Sequence, residues 1–148
     1  MKIAIGNDHR GLAVKQQLIT LVTQLGHEVL DLGAGDLTSV DYPDFAAKVC
    51  RAVMAGEAER GILICGTGIG MAIAANKFHG IRAITVGDVQ TAEMCRRHNN
   101  VNVMCLSESL LGQPPLPVIV RVWLDTQFEG GRHQCRLNKI ADLERENE

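Results

Sequence analysis

Aromatic residues are scarce in this 148-residue chain: one tryptophan, one tyrosine and three phenylalanines make up 3% of it. Few rings are therefore on offer for stacking bases, and a formal net charge of -2 supplies no basic field for a nucleic acid backbone. No run approaches ~20 apolar residues, so no membrane-spanning segment is expected. The five cysteines (Cys50, Cys65, Cys95, Cys105 and Cys135) are odd in number and form no C-x-x-C pair. A disulfide framework or zinc knuckle is not expected from them, and a reducing, cytoplasmic compartment fits better. The five histidines (His9, His27, His79, His98 and His133) have no H-x-x-x-H or related spacing, so no metal is expected. Asn7-Asp8-His9-Arg10 interrupts the short apolar start before a signal-peptide core could form. Neither low-complexity segments nor internal repeats are present.

What remains is ordinary globular material, 46% apolar and 22% charged. The length fits one domain over residues 1–148, and such a domain hides roughly 68–70% of its unfolded surface, enough for a core without metals or disulfides. Lys2 to Gly6 is a short apolar run ending in glycine, as a buried strand does. Leu12, Leu18, Ile19, Val22 and Leu25 then recur at helical spacing up to Gly26, a C-cap candidate. His27 to Leu32 reads as a second strand, and Asp41-Tyr42-Pro43 opens a helix reaching about Ala55. Gly61 to Cys65 is a third strand that runs straight into Gly66-Thr67-Gly68-Ile69-Gly70 and a short Ala-rich helix. A fourth strand (Ile81 to Val86), a helix (Val89 to Arg97), a fifth strand (Val101 to Leu106) and two helices, near Leu116–Thr126 and Arg132–Arg145, complete the pattern.

Continuous apolar strands alternating with helices predict a parallel five-stranded sheet covered on both faces, a Rossmann-like α/β/α sandwich. The flavodoxin-like strand order 2-1-3-4-5 is expected, which places any ligand at the β1/β3 switch point, outside the carboxyl ends of the strands. Asn7, Asp8, His9 and Arg10 leave the first of these strands; Cys65, Gly66 and Thr67 leave the third.

Cys65 precedes a glycine-rich helix start, where the helix dipole favours thiolate and free backbone N–H groups could hold an oxyanion. The alternative is a buried cysteine acting as a small hydrophobe, the role assigned to the other four. The Gly66-x-Gly68-x-Gly70 loop resembles a phosphate cradle. A dinucleotide site rivals it, since Asp88 follows Gly68 by 20 residues, although the loop follows strand three and Met71 stands where the fingerprint needs glycine. Arg132 and Arg136 lie one helical turn apart near a helix start, where like charge and dipole are both unfavourable; a bound phosphate would reverse both effects. Simple solvation, or pairing with Glu129, is the other reading. Arg96-Arg97-His98-Asn99-Asn100 suits a helix C-terminus, while His98 is also the histidine placed to move a proton.

Taken together, these motifs resemble the RpiB/LacAB family of sugar-phosphate isomerases. The resemblance rests on Gly6-Asn7-Asp8-His9-Arg10-Gly11, Asp41-Tyr42-Pro43, Cys65-Gly66-Thr67-Gly68-Ile69-Gly70, Ala74-Ala75-Asn76-Lys77 and Gly80-Ile81-Arg82-Ala83. It continues through His98-Asn99-Asn100-x-Asn102 and Glu129-Gly130-Gly131-Arg132-His133-Gln134. It implies an aldose–ketose isomerase of ribose 5-phosphate and ribulose 5-phosphate, or of a tetrose 4-phosphate, allose 6-phosphate or galactose 6-phosphate. A noncatalytic sugar-phosphate or nucleotide-binding module is the reading from another class. By resemblance Cys65 is the base, Thr67 assists it, His98 opens the sugar ring, and the N–H groups of Gly66, Gly68, Ile69 and Gly70 hold the enediolate. Asp8, His9, Tyr42 and Asn99 contact the sugar, and Arg132 and Arg136 the phosphate. No cofactor is implied. A homodimer is, which could pair into a tetramer, with the last helix packed on the partner and the site shared between subunits. One departure stands out: Ser109, in Ser107-Glu108-Ser109-Leu110-Leu111-Gly112, occupies the place where the family usually carries a phosphate-binding arginine, and Glu108 adds a negative charge.

Overall fold

Strand β1 (Lys2–Asn7) is buried along nearly its whole length, as a central parallel strand must be when both faces are covered. A computed structural model describes all 148 residues, Met1–Glu148, and places β1 between β2 (Glu28–Asp31) and β3 (Arg60–Cys65), both parallel to it. The sheet is completed by β4 (Ala83–Thr85) and β5 (Val103–Ser107). Its helices are α1 (Leu12–Gln24), α2 (Tyr42–Met54), α3 (Ile69–Ala75), α4 (Val89–Asn99), α5 (Pro115–Asp125) and α6 (Arg132–Glu146). No helix is long and apolar enough to cross a membrane.

Side-chain alternation along the strands divides the core in two. Ile3, Ile5, Ile62, Ile64, Met104 and Leu106 face α1, α4 and α5, around the fully buried Trp123. Their neighbours Ala4, Leu63, Cys65, Val103 and Cys105 face α2 and α3. Small residues let α2 lie close on this second face. A Cβ on Gly61 would come within 2.5 Å of Val49 Cγ1, so a larger residue there would push the helix off the sheet.

The α/β/α class and all five parallel strands follow the expectation from the sequence, but the strand order does not. It is β2-β1-β3-β5-β4 rather than 2-1-3-4-5, because β5 inserts between β3 and β4. The reason is burial. Val103, Met104, Cys105 and Leu106 are all buried and need neighbours on both sides. The three-residue β4 ends on the exposed Thr85 and tolerates the edge. The β1/β3 adjacency is unaffected, so the predicted crevice survives. The turn after β5 changes place, however, and now lies directly beside the exit of β3: Ser107 Oγ donates to the Gly66 carbonyl at 2.8 Å.

The run Arg96–Asn100 is built as a helix end. Asn100 takes the left-handed cap conformation at φ 46°. Arg96 is buried beneath it, its Nη1 donating to Val101 O at 2.6 Å and Asn100 Oδ1 at 2.8 Å. Burial pushes that guanidinium down to about 10. The arginine thereby fixes the place of His98 and Asn99 on the last turn of α4.

Candidate active site

The loops leaving β1 and β3 enclose a cavity of about 440 Å³, lined by Asp8, Arg10, Tyr42, Cys65, Gly66 and Thr67 together with Ile69, Gly70 and Ile73 of α3. Such a volume suits a small metabolite. Cys65 lies at its floor, 5% exposed, on the last residue of β3. Its Sγ accepts the N–H of Gly68 at 3.1 Å, and Gly68 adopts φ +80°, a conformation that opens the turn so that this N–H points back at the sulfur. Thr67 Oγ1 accepts from Ile69 N at 3.2 Å. A donor aimed at Sγ, followed by a helix start, is an arrangement that can hold an oxyanion beside the sulfur.

Asp8 is buried and caps the turn after β1: its Oδ1 accepts from Arg10 N at 3.0 Å and Gly11 N at 3.2 Å, leaving Oδ2 for a ligand. His9 stands just outside the cavity lining, its Nδ1 accepting from Val40 N at 3.2 Å. The Tyr42 ring covers Gly70 so closely that a Cβ there would meet Cζ at 2.6 Å. The other buried cysteines do not line this cavity. Burial pushes the Cys50 and Cys95 thiols up to about 11, and that of Cys105 further still. These three are inert packing residues, whereas Cys135, which the sequence pattern also made structural, is exposed on α6.

A second group of expected residues lies elsewhere in the same chain. His98, Asn99, Arg132 and Arg136 do not line the Cys65 cavity; they gather where the end of α4 meets the start of α6. There the His98 and His133 rings stack, with centroids 4.2 Å apart and planes 14° from parallel. Glu129 completes the cluster. Arg97 binds its carboxylate at 2.6 Å and holds it below the usual carboxylate range. His133 Nε2 lies 3.3 Å from Glu129 Oε2 but outside hydrogen-bonding geometry. Ligand atoms of His98, Glu129 and His133 fall within 4.8 Å of one another, a convergence the histidine spacing alone concealed.

Burial pushes the His133 imidazole below its ordinary value, and the neighbouring His98, Arg132 and Arg136 act in the same direction against Glu129. The folded state therefore prefers neutral His133, while an unfolded histidine titrates near 6.5. Its contribution to stability is present above about pH 6.5 and is lost as pH falls through the lower folded-state value. Thermal denaturation between pH 7 and pH 5 is expected to show a steeper loss for the parent than for His133→Gln. Parallel curves would remove His133 as the titrating group.

Two cavity residues were not singled out as site residues from the sequence. Arg10 had a visible signal, since it sits among the residues leaving β1. Ile73 repeats Ile69 one turn on, and both are exposed, at 60% and 56%. An apolar pair one turn apart on a short helix is a sign of a covered surface; Ile69 was expected at the site for its backbone N–H, and Ile73 was not singled out.

A parallel sheet carrying a thiol and a glycine-rich helix start in its switch-point crevice defines a Rossmann-like α/β protein with a site suited to small polar metabolites. The chain belongs to the ribose/galactose isomerase family, whose model matches residues 3–140. It is 43% identical over 143 residues to ribose-5-phosphate isomerase B of Escherichia coli, covering 97% of this chain and 96% of that one. Among solved structures, ribose-5-phosphate isomerase B of Clostridium thermocellum superposes with a TM-score of 0.96 at 45% identity, over 100% of both chains. The Mycoplasma genitalium enzyme of the same name, solved with bound ribulose-5-phosphate, gives 0.91 at 41% identity, over 98% of this chain and 97% of that one.

Proposed function

We propose that the chain is an aldose–ketose isomerase that interconverts D-ribose 5-phosphate and D-ribulose 5-phosphate, a reaction of pentose phosphate metabolism in the cytoplasm. The observation that carries this reading is Cys65 at the floor of the switch-point cavity, with the Gly68 N–H on its sulfur and a helix start beside it. Its chain-wide likeness to enzymes named ribose-5-phosphate isomerase B supports the choice of sugar.

In this mechanism the Cys65 thiolate removes the proton from C2 of the open-chain aldose. The electron pair moves into a C1–C2 double bond and the carbonyl oxygen becomes an enediolate oxyanion, held by the N–H groups of Gly66 to Gly70. The proton returns at C1, while exchange of protons between O1 and O2 with Thr67 assisting completes the ketose. Asp8, His9, Tyr42 and Asn99 bind sugar hydroxyls. His98 moves the proton on the ring oxygen that opens the furanose, and Arg132 and Arg136 hold the phosphate. An acid–base pair, an oxyanion loop and an anion clamp suffice for such an isomerisation.

His98, Asn99, Arg132 and Arg136 lie away from the Cys65 cavity of their own chain, so in this reading they serve the cavity of a second copy in a homodimer. Exposed apolar residues support that assembly: Tyr42, Ile69 and Ile73 at the cavity, and Ile140 and Leu143 along α6. Among tetrose 4-, pentose 5- and hexose 6-phosphates, ribose 5-phosphate is expected to give the highest kcat/KM, by about tenfold or more. A preference of thousands-fold for another sugar phosphate would replace the substrate and leave the chemistry in place. Ser109 and Glu108 are the positions that make this panel informative.

A further inference from the structure

Arg10 is the one arginine whose side chain lines the Cys65 cavity from the same chain. Its guanidinium lies flat against the glycine loop: a Cβ on Gly66 would meet Nη1 at 2.6 Å and Cζ at 2.9 Å. Nη2 donates to Glu108 Oε1 at 2.5 Å, whereas Nε and Nη1 donate to no group of the protein. The side chains of the pair are 56% and 33% exposed. An ion pair this wet contributes little to stability, and the fold does not require it. Its effect is positional. Glu108 stands in the turn after β5, which the observed strand order brings beside β3, and it holds one edge of the arginine fork while the other donors stay free.

We propose that Arg10, oriented by Glu108, is a phosphate contact of the substrate and supplies from the β1 loop the cation that Ser109 does not supply from the β5 turn. The inference rests on the isomerase reading. Cys65 is at the floor of the cavity and Arg10 is half exposed at its mouth, so a sugar with its reacting carbons at the sulfur extends its far end toward the guanidinium. An arginine fork with unused donors matches a phosphate better than it matches neutral hydroxyls. Glu108 would repel a dianion if it faced one alone. Arg10 lies between them, so the two residues act as a unit and their replacements are non-additive.

The test compares Arg10→Ala, Arg10→Gln and Arg10→Ala/Glu108→Ala by steady-state kinetics with ribose 5-phosphate and with phosphate-free ribose at high concentration. Inorganic phosphate serves as a competitive inhibitor. Arg10→Ala is expected to raise KM for the sugar phosphate about 10- to 50-fold, with kcat changed less than about threefold, and to weaken inhibition by inorganic phosphate by a similar factor. Activity on ribose falls by a clearly smaller factor than activity on ribose 5-phosphate, and the double variant recovers at least about threefold of the lost KM. Arg10→Gln, which keeps the bulk over Gly66, follows Arg10→Ala if charge is the cause. An unchanged KM, or an equal loss on ribose and ribose 5-phosphate, overturns the assignment. Failure of the isomerase reading looks different, because the parent itself would then show no aldose–ketose conversion.

Discussion

If Cys65 is the proposed base, Cys65→Ala is expected to lower kcat for aldose–ketose conversion by about 10²–10⁴-fold, the range for removing a general acid–base group. It is also expected to abolish incorporation of deuterium from heavy water into the substrate. The fold should survive. Cys65 borders an open cavity, and its only polar interaction is the Gly68 N–H at 3.1 Å, which water can satisfy once the sulfur is gone. The informative control is Cys50→Ala, on the same face of the sheet but fully enclosed, with its thiol pushed up to about 11 by burial. That variant loses about 1 kcal/mol of stability from the emptied space and keeps its kcat. Exchange at C2 that persists in Cys65→Ala would move the base to another residue. An equal loss in both variants would reduce the effect to packing.

Most of the framework around that sulfur was legible in the chain because it depends on local pattern. Apolar runs such as Gly61 to Cys65 ended in glycine loops, and Asp41-Tyr42-Pro43 marked a helix start that the structure places at Tyr42. The switch-point crevice followed from topology, since β1 and β3 are neighbours in either strand order. Tyr42, Gly66, Thr67, Ile69 and Gly70 accordingly line the cavity with Asp8 and Cys65.

Strand order itself is a non-local property, set by which strand most needs two buried neighbours. The short β4 yielded the inner position to β5, and that exchange is invisible in the apolar pattern of either segment alone. It matters for chemistry because it carries Glu108 to the side of Gly66 and lets it reach Arg10 across 98 residues of sequence. Arg10 was visible among the residues leaving β1, but its pairing with Glu108 was not, for the same reason. The stacking of His98 on His133 was hidden likewise, since the two histidines lie on different helices and only the packing of α4 against α6 brings them together. Periodicity finds faces of elements; it does not say which faces meet.

The separation of His98 from Cys65 within one chain leads to the second large effect. A site assembled from two copies can be repaired by two defective chains. In the proposed homodimer with shared sites, Cys65→Ala and His98→Ala are each expected to be nearly inactive, because every site then lacks one of the two groups. In a mixed dimer, one site combines both alanines, and the other combines an intact Cys65 from one chain with an intact His98 from its partner. Co-expression, or refolding of equal amounts together, makes about half of the dimers mixed, and half of the sites in those are intact. Activity should therefore return to about a quarter of the parent's. The readout needs no structural interpretation: two inactive preparations become active only if the groups come from different chains. No recovery from a mixture shown by two affinity tags to contain mixed dimers would place both groups on one chain. The α4–α6 end would then have to move to its own Cys65, against the buried Arg96 anchor and the hydrogen bond from Glu129 N to Arg97 O that tie it where it is. That cost is the physical reason to expect the exchange between copies.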